Sequence, residues 1–111
     1  MITIQFRTEA GRITAVSCRG HSGYAEAGAD IVCAAVTSAL RLTEATVNDV
    51  LGLRAPVEVR EAEAFLSLRL PGRLSPGAEE TCQALFGGLM VYFSQLRDEY
   101  PDYVEVLEEE A

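Results

Sequence analysis

The sequence predicts an α+β fold with the order ββαββαβ, a mainly antiparallel sheet with two helices packed on one face. Three observations predict it. Short runs of alternating apolar and polar residues come in pairs separated by turn residues, the pattern of hairpins. Two longer runs carry apolar residues at helical spacing behind good N-cap residues. A last alternating run follows Pro101.

Residues 2–8 (ITIQFRT) alternate with period two and read as a half-buried strand. Glu9-Ala10-Gly11-Arg12 is a turn in which Gly11 can take positive φ. Residues 13–18 (ITAVSC) return as the second strand. Residues 19–29 (RGHSGYAEAGA) then hold three glycines, Gly20, Gly23 and Gly28, and almost no large apolar group. Loops of this length in a small domain usually carry function or move; the glycines read as turn formers first, and Gly23 and Gly28 second as candidate gating positions.

A helix is expected over 30–51, with Asp30 as N-cap and Gly52 at the C′ position. Ile31, Val32, Ala35, Val36, Ala39, Leu40, Leu42, Val47, Val50 and Leu51 give it a broad apolar face. Pro56 forbids an immediate restart. Residues 57–61 (VEVRE) and 65–70 (FLSLRL) form a second hairpin around Ala62-Glu63-Ala64. Ser75-Pro76 places an N-cap before a proline at the first helical position. This second helix runs to about Asp98, with Leu85, Leu89, Phe93 and Leu96 facing inward. Residues 103–107 (YVEVL) read as the last strand, and 108–111 as a solvated tail.

The 111 residues suit one domain spanning 1–111, and a 49% hydrophobic content can build a core without staples. The net charge of −8 disfavours direct binding to nucleic acid phosphates. It would attract a basic peptide, though acidity also serves plain solubility. No apolar run approaches the roughly 20 residues that span a bilayer. The first residues lack the basic and apolar regions of a signal peptide, so no membrane association and a cytoplasmic location are expected. Cys18, Cys33 and Cys82 are odd in number and form no CxxC. Reduced thiols are therefore expected rather than a disulfide framework or a zinc site, and no metal or other cofactor is implied.

Chemistry concentrates in residues 20–33, GHSGYAEAGADIVC. This stretch holds the only histidine of the chain, His21, and puts Cys33 in the first turn of a helix. Helix N-termini offer N–H groups and a positive dipole end, which favour a thiolate and can donate to a substrate oxyanion. An imidazole could accept the thiol proton and return it to a leaving amine. Each residue also has an ordinary structural reading: His21 as a surface residue, Cys33 as small core packing, Asp30 as an N-cap. The Asp30 carboxylate could orient His21, but its charge would oppose formation of a thiolate beside it. Cys18 and Cys82 read as packing residues.

GHSGYAEAGADIVCAAVTSAL resembles the signature of the ribosomal-processing cysteine proteases: a Gly-His, a glycine-rich loop, then Asp-Ile-Val-Cys-Ala-Ala-Val-Ser. The N-terminal hairpin and the helix-hairpin-helix order extend the resemblance over nearly the whole chain. It implies a cytoplasmic bacterial cysteine endopeptidase, usually a homodimer. Such an enzyme removes a short N-terminal extension from the large-subunit ribosomal protein L27, cutting after a Phe-containing segment and before a basic mature N-terminus. Carried over, Cys33 is the nucleophile and His21 the general base, with Asp30 and Gly20 in supporting positions. Thr37 stands where the family has serine, so the hydroxyl is kept and a β-branch added. Two other classes remain open: a non-catalytic module that binds a ribosomal protein or assembling ribosome, and a thiol-redox protein. The latter lacks an obvious resolving cysteine in the sequence.

Overall fold

The opening hairpin closes on Ala10 and Gly11, both at positive φ (51° and 78°). That pair of left-handed residues matches the right-handed twist of the strands it joins. The strands are β1 (Ile2–Glu9) and β2 (Arg12–Arg19). Their register shifts by one residue between Arg7 and Thr8, leaving Thr14 as the extra residue of a bulge. Its hydroxyl donates to the Arg7 carbonyl at 3.2 Å. The computed structural model describes residues 1–21, 23 and 30–111.

The chain continues as α1 (Ile31–Glu44), β3 (Val57–Arg60), β4 (Phe65–Arg69), α2 (Pro76–Glu99) and β5 (Val104–Glu110). The sheet order is β3-β4-β2-β1-β5, antiparallel except where β5 runs parallel to β1. The expected α+β architecture is therefore present, with two helices on a mostly antiparallel sheet.

Helix α1 begins at its Asp30 cap and passes into a π-helical segment, Ala45–Val50. There Leu51 N–H donates to the Thr46 carbonyl, five residues back, at 2.9 Å. The Thr43 and Thr46 hydroxyls bond the carbonyls of Ala39 and Leu42, at 2.8 and 2.9 Å, just where the winding widens. Gly52, at φ 67°, ends the segment as expected for a C′ glycine. Asn48 fixes the exit by bonding both the N–H and the carbonyl of Ala55.

The buried stripe of α1 is narrower than its apolar composition predicts. Val32, Val36, Leu40, Thr43 and Val47 are buried, whereas Ile31, Leu42 and Val50 are 55%, 67% and 76% exposed. One line of contact with the sheet needs one residue per turn, so the flanking apolar positions stay outside. In α2 the Ser75 hydroxyl caps Ala78 N–H at 3.2 Å and Pro76 occupies the first turn. Its inner face consists of Cys82, Phe86, Leu89, Phe93 and Leu96. Leu85 was expected inside, but it is only partly buried, and Phe86 takes the core position one residue later.

Phe6, Phe86 and Phe93 have no solvent exposure, and Phe6 and Phe93 meet with ring centroids 6.2 Å apart at 50°. Aromatic contacts of this tilted type add to area burial. The expected solvated tail is instead strand: Glu108, Glu109 and Glu110 pair with Phe6, Arg7 and Thr8. Their side chains are exposed, but the backbone satisfies an edge of β1 that would otherwise stay open. Gln5 and Arg7 both contact Glu109 across that pairing.

Candidate active site

Strand β2 delivers its last residues to the N-terminal end of α1. Gly20 follows at φ 92°, a conformation unfavourable for any side chain, and a Cβ there would lie 2.6 Å from the Met1 carbonyl oxygen. Glycine is thus required at position 20 both by backbone angle and by close approach. Gly20 N–H donates to the Ala64 carbonyl at 3.1 Å, fastening the strand exit to the β3–β4 connection. His21 comes next and is exposed.

On the facing side, Asp30 adopts the extended cap conformation (φ −81°, ψ 97°) and is 5% exposed. One carboxylate oxygen, Oδ1, accepts from the N–H groups of Val32 and Cys33, each at 3.0 Å. The other, Oδ2, accepts from Cys33 Sγ at 3.1 Å. Asp30 is therefore the N-cap and also the thiol's hydrogen-bond acceptor. Helix-end N–H groups were expected to serve an anion on the sulfur or substrate; two of them, those of Val32 and Cys33, instead donate to Asp30. A short acidic cap three residues before a cysteine makes this geometry natural, because one oxygen reaches the helix end while the other points back along it.

Cys33 and His21 line one cavity of about 320 Å³. Gly20 and Thr37 line it as well, Thr37 from one turn further along α1. Val36, Leu40, Phe65 and Leu66 supply apolar wall, and Glu61 and Cys18 complete the polar side. The sequence-predicted pair is thus brought together at one hollow. Gly23 is exposed at φ 76° with open space around it. Gly28 lies outside the described residues. Among the described residues there is no group of three or more His, Cys, Asp or Glu able to hold a metal ion.

Two lining residues with titratable side chains, Cys18 and Glu61, were not singled out as site residues from sequence. Cys18 is half-buried on the inward face of β2, opposite Ile4 on one side and Leu66 on the other. Its position two residues after the buried Val16 is the signal that strand alternation offered. Glu61 comes from the tight 3-10 connection Glu61–Glu63, whose placement follows from hairpin register rather than from any local motif. Burial pushes the Cys18 thiol upward; a Leu66 backbone hydrogen bond partly offsets this, and the charge of Cys33 adds to the rise. The Cys82 thiol is also raised, by burial first and then by Glu79, against Arg12.

Asp30→Asn separates the two jobs of that side chain. Asparagine is as good an N-cap, so stability should change by less than about 1 kcal/mol. Removing a negative charge 3.1 Å from the sulfur should make Cys33 alkylate severalfold faster with iodoacetamide at pH 7. An unchanged alkylation rate would show that the carboxylate does not restrain the sulfur.

A family model described as cysteine protease Prp matches residues 1–105. One relative, the ribosomal processing cysteine protease Prp of Bacillus subtilis (strain 168), is 29% identical over 87 residues, 78% of each chain. Two solved structures share the fold. A Streptococcus mutans protein superposes with a TM-score of 0.84 at 23% identity, covering 100% of this chain and 96% of the other. The Prp protease of S. aureus, in complex with a covalently linked product peptide, gives 0.80 at 24% identity, covering 98% and 100%. The chain belongs to the cysteine protease Prp family.

Proposed function

We propose that this protein is a cytoplasmic endopeptidase that removes the N-terminal extension of ribosomal protein L27, with Cys33 as nucleophile and His21 as general base. The observation that carries the reading is the shared cavity of Cys33 and His21 at the amino end of α1. His21 takes the Cys33 proton, and the sulfur attacks the scissile carbonyl to form a tetrahedral adduct. Collapse to a thioester expels the amine, which receives the proton from the imidazole. Water, deprotonated by His21, then releases the acid product. Asp30 holds the thiol in place before attack, and Thr37 presents a hydroxyl to the bound peptide. Gly20 fixes the turn that carries His21, and Gly23, at positive φ with open space around it, stands next to that turn as a gating position.

Several observations support this. The B. subtilis relative is a ribosomal processing protease by name, and S. aureus Prp has been crystallised with a substrate peptide as well as a covalently linked product. The apolar wall of Phe65, Leu66, Val36 and Leu40 suits a Phe-containing segment. Glu61 on the same cavity suits a basic residue beyond the cut. No helix among the described residues is long and apolar enough to cross a membrane. Pairing into a homodimer belongs to the same proposal; an apolar groove between α1 and α2, where Leu42 is 67% exposed beside Leu85 and Tyr92, supports it.

The test uses a synthetic peptide spanning the extension and mature N-terminus of the host's own L27. Mass spectrometry should show a single cut that releases the mature end, with a scrambled peptide left intact. Absence of any cut would remove the endopeptidase assignment. A host L27 with no extension would remove the substrate while leaving the chemistry to be tested on other peptides.

A further inference from the structure

The geometry points to a second thiol reaction in the same cavity: Cys18 is the resolving cysteine for Cys33, and a hydroperoxide-class oxidant closes a Cys18–Cys33 disulfide that reversibly silences the nucleophile. The two sulfurs come from different elements that are each held in place. Cys18 is fixed between two neighbouring strands, paired with Ile4 and Leu66. Cys33 is fixed by the Asp30 cap at the start of α1. Both line the cavity of about 320 Å³, and both pack as half-buried residues against the core. Their proximity is also felt electrostatically, since charge on Cys33 raises the Cys18 thiol. The third sulfur, Cys82, has no exposure and sits on the inner face of α2, where its charged neighbours are Glu79 and Arg12.

The asymmetry between the two lining thiols sets the order of events. Burial keeps Cys18 protonated, which makes it a poor first target for peroxide. The protease nucleophile is the reactive one. Its sulfur attacks one peroxide oxygen, the O–O bond breaks, and the thiol becomes a sulfenic acid while hydrogen peroxide is reduced to water. The Cys18 sulfur then attacks the sulfenic sulfur, the S–O bond breaks, and the departing hydroxide takes the Cys18 proton to leave as a second water. Both cysteines are oxidised by one electron each, and one hydrogen peroxide accepts the pair. Slow ionisation of Cys18 is offset by its confinement beside the target, where the reaction is intramolecular. A dithiol reductant reverses the bond by exchange and restores both thiols.

The experiment treats reduced protein with a small excess of hydrogen peroxide, blocks remaining thiols with iodoacetamide, and digests with trypsin without reduction. Trypsin separates residues 13–19 from residues 20–41, and each peptide holds one cysteine. A linked pair lighter by two hydrogen atoms is the expected product, and Cys82→Ala should form it equally well. Activity is read against each variant's own untreated rate. Wild type should recover after dithiothreitol, whereas Cys18→Ala should pass to the sulfinic acid and recover about tenfold less. Sulfinylated Cys33 without the linked pair in wild type would overturn the proposal. So would a Cys33–Cys33 bond between two copies, or full recovery of Cys18→Ala. The linked pair is detected by mass, so its presence or absence is read whether or not L27 is the substrate.

Discussion

Replacing Cys33 by alanine should lower cleavage of the extension peptide by about 10⁴-fold or more, to the limit of detection. The reaction proposed here runs through a bond to one sulfur, so nothing else in the cavity can substitute for it. Cys18 lies on the same wall, but burial holds its thiol protonated and its element is a strand, without the helix-end environment of position 33. Cys33→Ser keeps the volume and the donor to Asp30 but offers an alcohol that ionises far less readily, so it should be nearly as inactive. Neither change should unfold the protein. Cys33 is only half-buried, and losing one sulfur there costs roughly 1 kcal/mol. Circular dichroism and a thermal melt check that point, and liquid chromatography with mass detection reads the cleavage. Cys82→Ala, in the core of α2, should cut the same peptide despite some loss of stability. If Cys33→Ala still supports the cellular role while failing to cleave, a binding module replaces the protease as the reading.

Much of the architecture was legible because local signals and tertiary demands agree. Asp30 caps α1, Ser75-Pro76 opens α2, and Gly52 ends the π-helical segment, each from chemistry confined to a few residues. Misreadings came where a partner decides. Leu85 and Phe86 are adjacent and both apolar, and packing against the rest of the core, not local pattern, buries Phe86. Residues 108–110 look soluble by composition, yet the vacant edge of β1 recruits their backbone. The exposed Leu42 marks a face that helical periodicity counts as inward. At the site, Cys33 and His21 were visible as residue types at a helix start and a loop rim. The bond from the Cys33 thiol to Asp30 was not, because it depends on one carboxylate serving two acceptors' roles at once. Alternation after Val16 turns Cys18 inward, but that it and Glu61 meet at this cavity depends on strand register, which a single sequence does not state.

His21→Ala should reduce turnover by about 10²–10⁴-fold with the fold intact. The fold argument is simple: the side chain is exposed, and the turn that carries it is set by Gly20 and its bond to Ala64. The chemical argument has a competitor in the structure. Asp30 Oδ2 already accepts from the Cys33 thiol, so a carboxylate stands where a base would. Two considerations favour the imidazole. A thiol transfers its proton poorly to a much weaker base, and the neutral acid so formed would not offset the charge on the sulfur as an imidazolium does. In the proposed reaction the same group must also protonate the departing amine, a task that suits an exposed imidazole lining the cavity. Measured together, the variants divide the roles. Severe loss in His21→Ala, partly rescued by added imidazole, assigns the proton to His21. Near-normal turnover in His21→Ala with collapse in Asp30→Asn would transfer that role to the carboxylate.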